Sequence, residues 1–141
     1  MVSPGWAGGN EKDTSPFVSV RIIHTNDIHG HILPEPDHKS GIIPPPILGG
    51  AASLATAIHD LRIQPAFGRE PAIVFYFDAG DFFQGTPEGT LTRGEAMIDL
   101  FHLLELDLMA AGNHDFDLGT EQLGRLVRRA KFPILSANTL D

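Results

Sequence analysis

Apolar positions along the chain change period several times, and each change marks an element. Four short apolar runs, at residues 18–23, 72–77, 108–111 and 134–135 with their neighbours, read as strands. The second, AIVFYF, is almost continuously apolar, as expected of a strand covered on both faces in a parallel sheet. Between the runs the period lengthens to that of a helix. Ala51, Leu54, Ile58 and Leu61 form one stripe; Met97, Phe101 and Leu104 form a second, with Asp99, His102 and Glu105 off it. Leu123, Leu126, Val127 and Ala130 form a third, facing away from Arg125, Arg128 and Arg129, and Pro133 closes it. Thr92 and Glu95 have the spacing of a capping box ahead of the second helix. Residues 30–48 read as one long Pro-rich loop, a length that is often functional.

The predicted fold class is therefore α/β, a mostly parallel β-α-β-α-β-α-β sheet with flanking helices. Ligands in such sheets bind beyond the carboxyl ends of the strands. Three of those ends carry unusual polar residues: Thr25-Asn26-Asp27-Ile28-His29, Asp78-Ala79-Gly80-Asp81 and Gly112-Asn113-His114-Asp115. Parallel strands bring them to one edge, so Asp27, His29, Asp81, Asn113 and His114 converge from distant positions. Asp27 and His29, two apart in an extended stretch, project to the same side. Both are ordinary ligands for a divalent transition metal. Asp81 adds a carboxylate able to bridge two ions, and Asn113 a neutral carbonyl oxygen. Gly80 and Gly112 permit tight turns beside them.

Charge changes the list of partners. With 18 acidic against 10 basic side chains and a formal charge of −8, the chain lacks the basic face that a nucleic-acid polymer requires. It suits the recruitment of cations. The absence of Cys excludes disulfides, thiolate zinc sites and a Cys nucleophile. No G-x-S-x-G elbow or phosphate-binding P-loop occurs. No apolar run reaches the roughly 20 residues of a membrane span. Residues 1–16 are rich in Gly, Pro and polar groups, show no signal-peptide pattern, and read as a flexible N-terminal arm before a body at residues 17–141.

D-x-H, G-D and G-N-H-D, in this order, resemble the first three blocks of the calcineurin-like metallophosphoesterases. The longer strings IIHTNDIHGHI, FDAGDFFQGTP, AGNHDFDLG and PILSANTLD resemble the 5′-nucleotidase and 2′,3′-cyclic-nucleotide phosphodiesterase branch. The resemblance implies that residues 17–141 are the N-terminal part of the catalytic domain, half of a four-layer α/β/β/α sandwich. It implies two divalent metal ions (Mn, Zn, Fe or Ca), with Asp27 and His29 holding one, Asp81 bridging both and Asn113 holding the other. His114 then contacts the phosphoryl oxygens, Asp117 orients it, and a metal-activated water attacks a nucleotide or other small phosphate ester. A periplasmic, cell-wall or extracellular location is implied as well. The family pattern continues with a further His and a G-H-x-H block, which these 141 residues do not contain. The expectation is a site completed by the missing C-terminal half of the domain or a complementing chain, and an exposed apolar sheet face. Two other readings are a non-catalytic metal- or partner-binding fragment and a related hydrolase of thiol-linked sulfate. Asp115 and Asp78 are expected to be structural, and His31, His38, His59 and His102 to have no part in the site.

Overall fold

The structure is a computed structural model that describes residues 18–65 and 73–139. The expected arm over residues 1–16, and Ala72 at the start of the second apolar run, lie outside the described residues. The main sheet contains β1 (Val20–Thr25), β4 (Ile73–Asp78), β5 (Leu108–Ala110) and β6 (Ile134–Leu135), all parallel and adjacent in that order. Helices α1 (Gly50–Ile63), α3 (Glu95–Leu103) and α4 (Thr120–Arg129) make the connections, so the expected alternation holds.

Strand order along this sheet never reverses. Right-handed crossovers that always step the same way deliver every helix to the same face. On that face Ile23, Tyr76 and Met109 meet Ile58 of α1, Met97, Ile98 and Phe101 of α3, and Leu126 of α4 in one buried cluster. Phe101 packs edge-on between Phe82 and Phe132, with ring centroids 6.0 and 6.1 Å away. The opposite face is open. Paired positions in a parallel register share a face, so Val20 and Ile22 lie beside Ile73 and Phe75, and all four are exposed. Leu135 is exposed as well. Within β4, positions therefore alternate between covered and bare: Tyr76 is fully buried, whereas Phe75 is 37% exposed. The strand's continuous apolarity fits two covers, and the described residues supply one.

Three features differ from the sequence expectation. Residues 30–48 contain a short antiparallel ribbon, β2 (Glu35–Pro36) with β3 (Ile47–Leu48). A short helix, α2 (Pro87–Leu91), follows β4; its Thr86 cap accepts from Gly89 N at 3.3 Å, with Pro87 in the first turn. Thr86-Pro87 was the available signal. The capping box is not formed. Gly94, in a left-handed conformation, is the cap of α3, while Thr92 ends α2, donates its hydroxyl to the Glu88 and Gly89 carbonyls and accepts Ala96 N of α3 at 3.4 Å.

Candidate metal centre

The β1–β4 pairing continues past the ends of both strands. Ala79 N bonds Thr25 O at 2.9 Å, Asp27 N bonds Gly80 O at 3.0 Å, and His29 N bonds Asp81 O at 3.0 Å. The two loops thus run side by side as a ladder, which brings Asp27 and His29 beside Asp81. Phe82 and Phe83, both fully buried, follow Asp81 directly and anchor its loop in the core. The stretch carrying Asp27 and His29 is not extended, contrary to expectation. Asp27, His29 and Asp81 have φ of 53°, 50° and 57°, the left-handed region that non-glycine residues enter at a cost. Such strain concentrates at functional positions, and periodicity alone gives no sign of it.

One donor atom from each of Asp27, His29 and Asp81 lies within 4.8 Å of the others. His29 Nδ1 is bonded to the Gln84 carbonyl at 2.6 Å, and its Nε2 stands 3.8 Å from Asp27 Oδ1. A carbonyl acceptor fixes the Nδ1–H tautomer and leaves Nε2 with a free lone pair, the usual arrangement for an imidazole that ligates metal. Two carboxylates and one such imidazole are a donor set that fits a divalent cation.

The third loop closes on the second. Asp81 Oδ1 accepts the His114 backbone N–H at 2.8 Å. The His114 ring meets the His29 ring edge-on, with centroids 5.5 Å apart, so His114 borders the cluster. Its Nδ1 is 2.9 Å from Asp117 Oδ2, and this bond raises the His114 pKa above the ordinary imidazole value. Asn113 immediately precedes His114, is exposed, and opens a 3-10 turn with φ −70°.

Two buried carboxylates support the loops from beneath. Asp115 is 1% exposed and accepts from the backbone N–H groups of Asp81, Phe82 and Gly112 at 3.1, 3.1 and 2.8 Å. Burial pushes its pKa up, against the pull of those bonds. Asp78 accepts from Gly80 N at 2.9 Å and from the Thr25 hydroxyl at 2.6 Å, and burial pushes it up to about 6. Both hold loop backbone N–H groups in place. Gly80 and Gly112 are required by contact: a Cβ on Gly80 would stand 2.2 Å from Gly112 N, and one on Gly112 would stand 2.3 Å from Asp81 Oδ1.

Outside this group, His31 pairs with Glu35 at 3.0 Å in the long loop. His102 accepts the Lys131 N–H at 3.1 Å on the far side of α3. Arg125 and Arg129 pair with Glu121 and Asp99 on exposed helix surfaces. Sequence reasoning passed over Asn26, whose amide donates to Asp27 Oδ2, and Gln84, which orients His29 through a main-chain carbonyl and so leaves no residue-type signal.

The strand ends of a parallel α/β sheet thus gather Asp27, His29 and Asp81 into a group able to hold a divalent cation, with His114 at its border. Residues 20–138 match the calcineurin-like phosphoesterase family model, and the chain belongs to that family. It is 39% identical over 119 residues to the 5′-nucleotidase of Mus musculus, covering 83% of this chain and 20% of the relative. It is 35% identical over 136 residues to protein UshA of Yersinia enterocolitica, covering 96% of this chain and 22% of that protein. Among solved structures, the 5′-nucleotidase precursor of Thermus thermophilus superposes with a TM-score of 0.70 at 34% identity, over 83% of this chain and 22% of the other. The chain thus spans about a fifth of the length of the curated relatives it matches. No helix among the described residues is long and apolar enough to cross a membrane.

Proposed function

We propose that this chain carries the first part of a two-cation site that hydrolyses phosphate esters of nucleotides. Asp27, His29, Asp81 and Asn113 would be the residues that hold the cations. The observation that carries this reading is the approach of the Asp27, His29 and Asp81 donors to within 4.8 Å. Carboxylate, imidazole and amide oxygen together admit Mn, Zn, Fe or Ca. Bound there, two cations would neutralise phosphoryl charge and supply an activated water near neutral pH.

The chain's own residues do the positioning. With His114 Nδ1 engaged by Asp117, Nε2 is the atom that reaches the phosphoryl oxygens. The raised pKa of His114 keeps it cationic to higher pH, so its bond to an anionic oxygen is charge-assisted. Asp81 is held at both its backbone N–H and its Oδ1, so it meets the cations without reorganising. On this reading, further ligands and the surface that recognises the base would come from a complementing segment. The bare apolar sheet face, with Ile22 59% exposed, supports their arrival on a second sheet packed there.

Calorimetric titration with Mn2+, followed by phosphate release from nucleoside monophosphates, tests the reading. Mn2+ uptake that Asp81→Asn abolishes supports it, and turnover extends it to catalysis by this chain alone. Uptake without turnover makes the chain a metal-binding module awaiting its complement. Release of sulfate from a thiol-linked ester, without release of phosphate, would reassign the substrate class. No uptake overturns the proposal.

A further inference from the structure

The geometry points to Asp115 as the positioning residue of this centre, a buried carboxylate that clasps two ligand-bearing loops and holds Asp81 in its left-handed conformation. The inference rests on the metal reading above. Asp115 reaches back more than thirty residues in sequence: Oδ2 takes Asp81 N at 3.1 Å and Oδ1 takes Phe82 N at 3.1 Å. Oδ2 also takes Gly112 N at 2.8 Å, which ties the carboxylate to the start of its own loop. Asp81 answers by accepting His114 N through Oδ1 at 2.8 Å. The two loops are therefore joined in both directions around one candidate ligand.

Asp81 has φ 57°, a conformation an L-residue rarely keeps without support. Its own N–H and that of Phe82 flank the strained unit, and one carboxylate holds both. Charge matters here as well as shape. Both oxygens of Asp115 accept, so an amide in its place must turn its NH2 toward a backbone N–H and lose at least one bond. Such a site loses metal affinity before it loses the fold, because Phe82 and Phe83 anchor the same loop in the core through their buried rings as well.

The test is a Mn2+ titration of the isotopically labelled chain, read by paramagnetic broadening of backbone amide signals. Wild type, Asp115→Asn and Asp107→Asn are compared. Asp107 Oδ2 accepts Tyr76 N at 2.8 Å, so its variant removes the charge of a carboxylate bound to a backbone amide away from the site. The expected result is a broadening midpoint about tenfold higher in Mn2+ for Asp115→Asn and unchanged for Asp107→Asn. A folded Asp115→Asn with a midpoint within about twofold of wild type, or an equal shift in Asp107→Asn, overturns the inference alone. A wild-type chain that takes up no Mn2+ overturns the metal reading and this inference with it. Hydrogen exchange on the unmodified chain decides the matter if Asp115→Asn does not fold. Protected Asp81 and Phe82 amides support the clasp, and exchange at the rate of exposed loop amides overturns it.

Discussion

Replacing Gly80 with Ala tests how closely the loops of the site approach one another. Gly80 has φ +96°, and a Cβ there would stand 2.2 Å from Gly112 N, 2.7 Å from Gly112 Cα and 2.7 Å from Ala110 O. Every one of these is a backbone atom, so no side chain can rotate away. The left-handed backbone costs an alanine about 1–2 kcal/mol, and overpacking against rigid atoms adds about 1–3 kcal/mol. A loss of about 4 kcal/mol lowers the melting temperature of a chain of this size by roughly 10–15 °C. Gly119 is the matched control, because its φ is +85° but nothing lies within 4 Å of a Cβ built on it. Gly119→Ala should cost only about 1 kcal/mol, since the strain is partly offset by a less flexible unfolded chain. The assay is thermal unfolding of both variants by circular dichroism. Equal losses would mean that backbone conformation alone, and not loop contact, explains Gly80.

Other outcomes follow from single residues. Asp78 is pushed up to about 6 from 3.8, so between those pH values the folded chain keeps a proton that the unfolded chain has released. Its contribution is most favourable below the lower value and is lost as pH rises through the upper one, a swing of about 3 kcal/mol. Denaturant melts of metal-free protein should therefore find Asp78→Asn gaining on wild type by roughly 2–3 kcal/mol between pH 4 and pH 7; a constant difference contradicts the assignment. Asp117→Asn should lower the pKa of His114 in an NMR titration, since the bond to Asp117 is the main cause of its elevation; an unchanged titration contradicts it. Ile22→Lys, on the open face, should move the melting temperature by only a few degrees, whereas Met109→Lys, fully buried, should prevent folding. Comparable stability of the two would mean that the covered face is misassigned.

Much of this architecture was readable because burial imposes periods. Strands β1, β4, β5 and β6 fall within two residues of the apolar runs, and the stripes of Met97–Phe101 and Leu123–Leu126 mark helices that bury those residues. The strand ends were readable because a core needs no Asp, His or Asn there, so their appearance demands another cause. What escaped was set by backbone geometry. Left-handed Asp27, His29 and Asp81 leave no trace in hydrophobic pattern, and the inference that Asp27 and His29 share a side reached the right neighbourhood through the wrong conformation. The Thr92 spacing suggested a capping box, but α2 ends there and takes the hydroxyl proton, leaving the oxygen only a long 3.4 Å bond from Ala96 N in the first turn of α3. β2 and β3 are two residues each, too short for any period to register.

The central claim is that two loops far apart in sequence, one carrying Asp27 and His29 and the other Asp81, hold a cation between them. Crystals grown with Mn2+, measured at the manganese absorption edge, test it most directly. The account predicts an anomalous peak about 2.0–2.3 Å from the carboxylates of Asp27 and Asp81 and from Nε2 of His29. Manganese bound only at other acidic patches, with no peak among these three side chains, would contradict it.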